Sequence, residues 1–376
     1  MKIAVLNWPI NNIGGIATWA IQFREAGRAL GHTVDTIHLS ENARMAVDSH
    51  KDRLTKNNII LAGIFRGIST PGRIHRLKAE LASYDMILIL HPSPHPTNSQ
   101  VSKMEGGRRW QIVYEMLSEM NVPYTVMFHD NNWRKTNWWF AEVANCVPKI
   151  LGGQKLFAES AKTLPGDRKI DWVYHPLKIP ANITPLAVRP DIGIMHSQWL
   201  HWKRHKEFLA WLKDVEHPAV FWHLYHAGLK YHYLKLDEDF QEIVDDLVRH
   251  TQATRPLAEY RGLVPHEQVM RNLGHALCSL DNSVRGYVNY THWEPLACGA
   301  YSILHASVFN HPCSVLPSSP MVVVLEEDED LTDSLSSLRE RRYHDGEAQS
   351  EAVEFCRKHL SAASVFLRVV EFTMER

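Results

Sequence analysis

Two α/β domains, each built on a parallel sheet, are what this sequence predicts, and three observations carry the prediction. The chain has 376 residues, more than the roughly 250–300 at which a single hydrophobic core stops growing. In the N-terminal half, short and nearly continuous apolar runs alternate with helical patterns, as strands covered on both faces require. After the proline-rich stretch HPLKIPANITPLAVRP (175–190) the same rhythm restarts. The boundaries read this way are 1–185 for the first domain, 186–350 for the second, and 351–376 for a helical tail able to return to the first domain.

The elements follow in order. KIAVLN reads as a strand, GIATWAIQFREAGRAL as a helix and GHTVDTIHL as a turn and strand. YDMILILHP (84–92) is a strand, RRWQIVYEMLSEM a helix, and YTVMFHD (124–130) a further strand. In the second half DIGIMHS is a strand, WKRHKEFLAWLKDV a helix and AVFWHLYH a strand. EQVMRNLGHALCSLD and PMVVVLEEDED follow, the acidic run Glu326–Asp330 reading as a solvated strand end. The tail EAVEFCRKHLSAASVFLRVVEFTMER has the pattern of one or two amphipathic helices.

Composition narrows the function classes. A hydrophobic content of 45% and a charged content of 22% are ordinary for a globular protein, and the net charge of −1 provides no global field for nucleic acid. Five cysteines, at 146, 278, 298, 313 and 356, are odd in number and lack CxxC spacing. They fit a reducing cytosol. No run reaches the ~18 apolar residues of a membrane span, and MKIAVLNW turns polar too soon for a signal peptide.

The stretch YTHWEPLACGAYSIL (290–304) is the most informative. Proline is tolerated in the first turn of a helix, where its missing N–H is not needed. Pro295 therefore predicts a helix N-terminus at 291–295, with Thr291 and Glu294 spaced as a capping box. Gly299 is placed to end the helix, and AYSILHA to continue as a strand.

Other residues could carry chemistry. Gly14 and Gly15 stand between the first strand and first helix, where backbone N–H groups can approach an anion or simply make a tight turn. The spacing is not GxGxxG, so the dinucleotide fingerprint is missing. His129 and Asp130 close the strand YTVMF, at the strand end where parallel sheets bind ligands. Asp130 can act there as a base or as a helix cap, and Trp133 and Arg134 follow it. Lys203, Arg204 and Lys206 cluster at the front of a helix, where cations oppose the macrodipole unless an anion lies among them. HPSPHP (91–96) lacks the helical i, i+4 spacing of a histidine metal site and reads as a loop.

Together these pieces resemble the retaining GT-B glycosyltransferases, and within them the phage DNA α-glucosyltransferases. YTHWEPLACG is similar to a Tyr-Thr-His-x-Glu-x-x-Ala-Cys-Gly segment of that family, while GIATWAIQFREAGRALGHTV, HDNNWRK, WKRHKEF and EFCRKHLSAASVFLRVVEF can be laid against it more loosely. The resemblance implies two Rossmann-like domains with parallel sheets facing across a cleft. It implies that Gly14 and Gly15 approach the donor phosphates, Lys203 neutralises the diphosphate, Glu294 holds the ribose or sugar, and backbone amides around Thr291–Trp293 face the phosphates. Tyr290, His292, Arg204 and Gln198 complete that donor site. Asp130, with His129, would face the acceptor hydroxyl.

Two departures from the family pattern bear on the donor sugar. The family's arginine five residues before the lysine is Gln198 here, with His196, His201 or Arg204 nearby to compensate, and its additional carboxylate is missing, Gly286 and Asn289 standing at the spacings concerned. Glucose and arabinose both stay open. No cofactor is expected beyond the UDP-sugar substrate, and no metal is indicated. The expected acceptor is double-stranded DNA carrying a hydroxymethylated pyrimidine, flipped from the stack. Cations for it are read in first-domain loops, at Arg73 and Arg76 and at Arg108 and Arg109, together with Trp133 and Arg134. A monomer in the infected-cell cytoplasm is expected, with no membrane partner. The alternatives are a GT-B enzyme acting on a lipid or polysaccharide and a non-catalytic nucleotide-sugar or DNA-binding protein.

Overall fold

The computed structural model describes residues 1–7, 15–38, 68, 70–90, 92, 100–128, 146–153, 155–164, 166–197, 203–215, 219–225, 245, 257–262, 264–284, 288–311, 314–327 and 329–375. Gly14, His129, Asp130, Trp133, Arg134, Gln198, His201 and all of 91–96 except residue 92 lie outside the described residues.

The chain divides into two compact units, Met1–Pro176 with Ala362–Arg376, and Leu177–Ser361. In the first, β1 (Lys2–Asn7), α1 (Gly15–Ala29), β2 (Thr33–His38), α2 (Pro71–Leu81), β3 (Met86–Leu90), α3 (Gln100–Ser118), β4 (Tyr124–Phe128), β5 (Lys149–Gly152), α4 (Lys155–Ala161) and β6 (Lys169–Trp172) follow one another. The second contains β7 (Ile192–Met195), α5 (His205–Asp214), β8 (Phe221–Tyr225), β9 (Ala258–Gly262), α6 (His266–Leu273), β10 (Cys278–Asp281), α7 (Tyr290–Ala297), β11 (Tyr301–His305), α8 (Ala306–Phe309), β12 (Val322–Leu325), α9 (Leu331–Arg341) and α10 (Gly346–His359). The last helix, α11 (Ala362–Met374), belongs to the first unit. Of the tail read at 351–376, one helix therefore stays in the second unit and the other joins the first.

Among the described residues each unit is built on a six-stranded sheet, in the orders β2-β1-β3-β4-β5-β6 and β12-β11-β10-β7-β8-β9. Every strand pair is parallel. The strand MILIL of β3 shows why the first sheet is buried on both faces. Its Ile87 and Ile89 pack with Leu77 and Leu81 of α2 and with Trp110, Val113 and Leu117 of α3. Its Met86, Leu88 and Leu90 join Trp19 and Phe23 of α1 and Val365, Phe366 and Val369 of α11. Alternate residues of one strand thus feed two helix layers, the arrangement that turns an alternating strand into a continuous apolar run.

Helix α11 is fastened at its end as well as along its apolar face. Thr373 Oγ1 lies 2.9 Å from Thr125 Oγ1 in the buried sheet, and Lys149 Nζ donates to the Thr373 carbonyl at 2.6 Å. A cation on the last carbonyls of a helix suits its dipole.

The four arginines read as loop cations lie on helices instead. Arg73 and Arg76 are exposed on α2, whose first turn holds Pro71, and Arg108 and Arg109 fall within α3. Pro71-Gly72 looks like a turn, but proline at the first helical position is a start signal. Gly106 and Gly107 are carried inside α3 because Trp110, Val113 and Tyr114 anchor the helix on the sheet.

Candidate functional site

In the second sheet the chain runs outward from β7 to β8 and β9, then returns to place β10 on the other side of β7. That reversal between β7 and β10 is a topological switch point, where a parallel sheet opens a crevice beyond its strand ends. The residues collected there are those that follow the two strands: His196 and Ser197 after β7, Asp281 at the end of β10, and helix α7 a few residues beyond.

Helix α7 starts one residue earlier than the sequence predicts, and its cap is different. Asn289 is the N-cap: its side chain accepts from the Thr291 N–H at 3.0 Å, and its own N–H donates to His292 Nδ1 at 3.1 Å. The expected pair Thr291 and Glu294 does not cap. Asparagine outranks threonine as a cap, and burial of Tyr290 and Trp293 draws the helix start forward. Pro295 consequently sits in the second turn, leaving the Thr291 carbonyl without the intrahelical N–H it would otherwise receive. Trp293 stacks on Phe355 of α10, with ring centroids 6.0 Å apart and planes inclined by 9°. The first-turn amides are also occupied: those of His292 and Trp293 reach the Asn289 carbonyl.

The helix closes on Gly299, whose φ of 69° is the left-handed conformation expected at this position. Its N–H reaches the Leu296 carbonyl at 3.0 Å and the Ala300 N–H reaches Pro295 at 2.8 Å, the paired bonds of a Schellman ending. Arg189 secures the same end. It is buried, and its guanidinium donates to the carbonyls of Thr184 (2.9 Å), Leu273 (3.3 Å), Ala276 (2.7 Å) and Cys298 (2.7 Å). Its charge lies at the C-termini of both α6 and α7, which favours it electrostatically, while burial lowers its pKa to about 10.

Two buried carboxylates form the chemical part of the site. Glu294 accepts from His196 Nε2 at 2.8 Å on Oε2 and from His266 Nε2 at 2.6 Å on Oε1. His196 Nδ1 lies 3.2 Å from the Ser279 hydroxyl, which donates to it. Burial alone would raise the Glu294 pKa; the imidazoles of His266 and His196 outweigh it and hold the carboxyl well below its usual range. Asp281 accepts from Lys203 Nζ at 2.9 Å, from the Ser283 N–H at 3.1 Å, and from the hydroxyls of Ser283 and Thr291. Against burial, Lys203 first and then His292 hold it ionised too. The His292 Nδ1 is an acceptor, so its proton resides on Nε2, 3.9 Å from Asp281, and burial lowers its pKa to about 4.

Sequence-predicted residues are therefore brought together here, with additions. Lys203, Thr291 and His292 gather around Asp281 at the end of β10, Glu294 bonds His196 just after β7, and Tyr290 is buried in the first turn of α7. The anion on Lys203 is Asp281, which the sequence did not single out, while Arg204 lies 3.7 Å from Glu207 of α5. Arg204, the N-cap of α5, has φ 51° and ψ 39°, the one non-glycine residue with positive φ among those described. Such a conformation costs roughly 1–2 kcal/mol and is retained where surroundings over-determine it. Gly15 begins α1 in the first unit. Sequence reasoning missed Asp281, Ser283 and His266. The signal available for two of them was position, at the end of β10 and the start of α6. Among the described residues no group of three or more His, Cys, Asp or Glu is arranged to hold a metal ion, and no helix is long and apolar enough to cross a membrane.

No protein-family model matches the chain, and no curated protein sequence matches it. Solved structures match over nearly its whole length. Anabaena Alr3699/HepE in complex with UDP is 12% identical with a TM-score of 0.67, over 99% of both chains. A glycosyltransferase from Rickettsia africae ESF-5 is 14% identical with a TM-score of 0.67, over 99% of this chain and 97% of that one. The alpha-glucosyltransferase in complex with UDP and a 13-mer DNA containing a HMU base is 13% identical with a TM-score of 0.64, over 100% of both. Two parallel six-stranded α/β units, together with this likeness, establish the architecture: the chain has the GT-B fold.

Proposed function

We propose that this chain is a glycosyltransferase moving a sugar from a UDP-sugar to the hydroxymethyl group of a modified pyrimidine, 5-hydroxymethylcytosine, in double-stranded phage DNA. The observation that carries the reading is the ionised, buried Glu294 beside the Lys203–Asp281 pair at the β7–β10 switch point. Structures of similar fold bind UDP, and one of them also binds DNA containing a HMU base.

In this reading Glu294 accepts a hydroxyl of the ribose or sugar, and Lys203, oriented by Asp281, faces the diphosphate with its remaining N–H donors. Arg204, Gln198, Tyr290, Thr291, His292, Gly14 and Gly15 complete the donor site. The bond between the anomeric carbon and the diphosphate oxygen breaks, and a bond to the acceptor hydroxyl oxygen forms. Charge accumulates on the departing UDP, which the Lys203 cation stabilises. Asp130, with His129, directly follows β4 and is the carboxylate assigned to the acceptor hydroxyl. Arg73, Arg76, Arg108 and Arg109, with Trp133 and Arg134, are assigned to the DNA. The sugar is glucosyl or arabinosyl, transferred with retention and without a metal.

The test is to incubate purified protein with hydroxymethylcytosine DNA and a panel of UDP-sugars, then weigh the digested nucleosides. A mass gain of one hexosyl or pentosyl unit on the modified base is expected. Transfer to a lipid or polysaccharide alone would overturn the DNA acceptor, and failure to bind UDP would overturn the donor.

A further inference from the structure

The two imidazoles on Glu294 are not equivalent. His196 is built in: its side chain is 4% exposed, and its second ring nitrogen is engaged by Ser279. His266, the first residue of α6, is 40% exposed, whereas the Glu294 carboxylate it holds is 3% exposed. Of the pair, His266 is the partner with access to solvent. Around Asp281 the Lys203 and His292 side chains are 10% and 1% exposed, both less open than His266.

We propose that His266 is a latch on the donor site: it holds Glu294 Oε1 in the ligand-free protein, and the ribose diol of a uridine nucleotide takes its place. The proposal rests on the reading of Glu294 as a donor-binding residue. An ionised carboxylate oxygen is an acceptor with more than one lone pair, and a vicinal diol brings two O–H donors. The exchange therefore leaves Glu294 fully bonded, with His196 retaining Oε2. A charge-assisted bond is roughly twice as strong as a neutral one, so the latch opens more readily when His266 is neutral.

The charged and titratable groups around His266 set where that happens. Glu294 faces it from α7, His196 lies across the same carboxylate, and Glu267 is its neighbour on α6, itself 3.5 Å from Lys178. Burial works against the imidazolium, while Glu294 and then Glu267 more than offset it, so the His266 pKa stands above its ordinary value. Between the His266 pKa of the nucleotide-bound protein and that of the free protein, uridine binding should release a fraction of a proton, so affinity should rise with pH by less than tenfold per pH unit.

Calorimetry with uridine and with 2′,3′-dideoxyuridine, between about pH 5.5 and 8.5, tests this on wild type, His266→Ala and His266→Gln, each checked for folding by circular dichroism. Wild-type affinity for uridine should climb with pH, while both variants should bind uridine with little pH dependence and more tightly than wild type at the acid end. Dideoxyuridine should show no climb with any of the proteins. If uridine binds wild type with a flat pH profile, or if the folded variants keep the wild-type climb, the latch is refuted and the donor site stands. If both variants lose uridine binding throughout, His266 is a ligand contact and the latch is refuted. If uridine binds none of the proteins at any pH, the donor-site reading falls and the latch with it.

Discussion

Replacing Lys203 by methionine removes one member of a buried ion pair and leaves the other. Lys203 Nζ lies 2.9 Å from Asp281 Oδ2, and the Asp281 side chain is 1% exposed. Breaking such a pair costs about 3–5 kcal/mol, because the remaining charge stays buried without its counter-ion. Asp281 keeps the Ser283 N–H and the hydroxyls of Ser283 and Thr291, which places the expected cost at the lower end, about 3 kcal/mol. For a unit of this size 1 kcal/mol shifts Tm by roughly 2–4 °C, so Lys203→Met should lower the melting temperature by about 6–12 °C. Lys203→Met with Asp281→Asn removes both charges and should recover most of the loss. The assay is thermal unfolding of the full chain at neutral pH, followed by circular dichroism and calorimetry. The acid side gives an internal check. Burial would raise the Asp281 pKa, yet Lys203 holds it below its ordinary value, so its stabilisation is present above about pH 3.9 and lost as pH falls through the folded value. The gap between wild type and Lys203→Met should accordingly narrow in acid. A single variant melting within about 2 °C of wild type, or a double variant melting as low as the single, would refute the reasoning.

Gly299→Ala should destabilise by roughly 2–4 kcal/mol, measured by urea denaturation. Its φ is 69°, and an added Cβ would stand 2.7 Å from Ile183 Cγ2 and 2.8 Å from Gln349 Nε2. Because Glu294 and Glu267 overcome burial to raise the His266 pKa, that group stabilises fully below about pH 6.5 and loses its contribution as pH rises through the folded value. Melting temperatures should therefore fall above about pH 6.5 in wild type and stay level there in Glu294→Gln; parallel profiles would exclude the pairing. Charge reversal at exposed Arg73 and Arg76 should flatten the log–log salt dependence of DNA binding by about 0.9 for each phosphate no longer neutralised, with UDP affinity unchanged. An unaltered slope would remove α2 from the DNA surface.

What could be read in advance was what one stretch of chain determines by itself. The strand MILIL and the amphipathic helices announce themselves by composition and period. Strands β5 and β6 do not, since KILG and KIDW are four residues each and both begin with a lysine. Glu294 stood out because proline and glycine frame it locally. Its partners were harder to see: His196 is 98 positions away and His266 is 28, and they meet only because the sheet reverses between β7 and β10. Asp281 closes the stretch EQVMRNLGHALCSLD with no local sign of its role, and its charge gains meaning only from Lys203, 78 positions earlier. The cap went wrong for a related reason. Thr291 and Glu294 have the right spacing, but tertiary burial of Glu294 between two histidines takes that side chain away from the helix start.

The place of α11 in the first unit has a consequence for how the protein is made. Phe366, Val369 and Phe372 belong to the same apolar cluster as Trp19, Phe23 and β1, so that unit lacks part of its interior until its helix emerges from the ribosome. The second unit is one continuous segment, Leu177–Ser361, which translation at roughly 5–20 residues per second delivers over about 10–40 s. Sequence order and order of completion are thus reversed: the segment synthesised first is finished last, and its Trp19 face waits for a helix translated after the whole of the other unit.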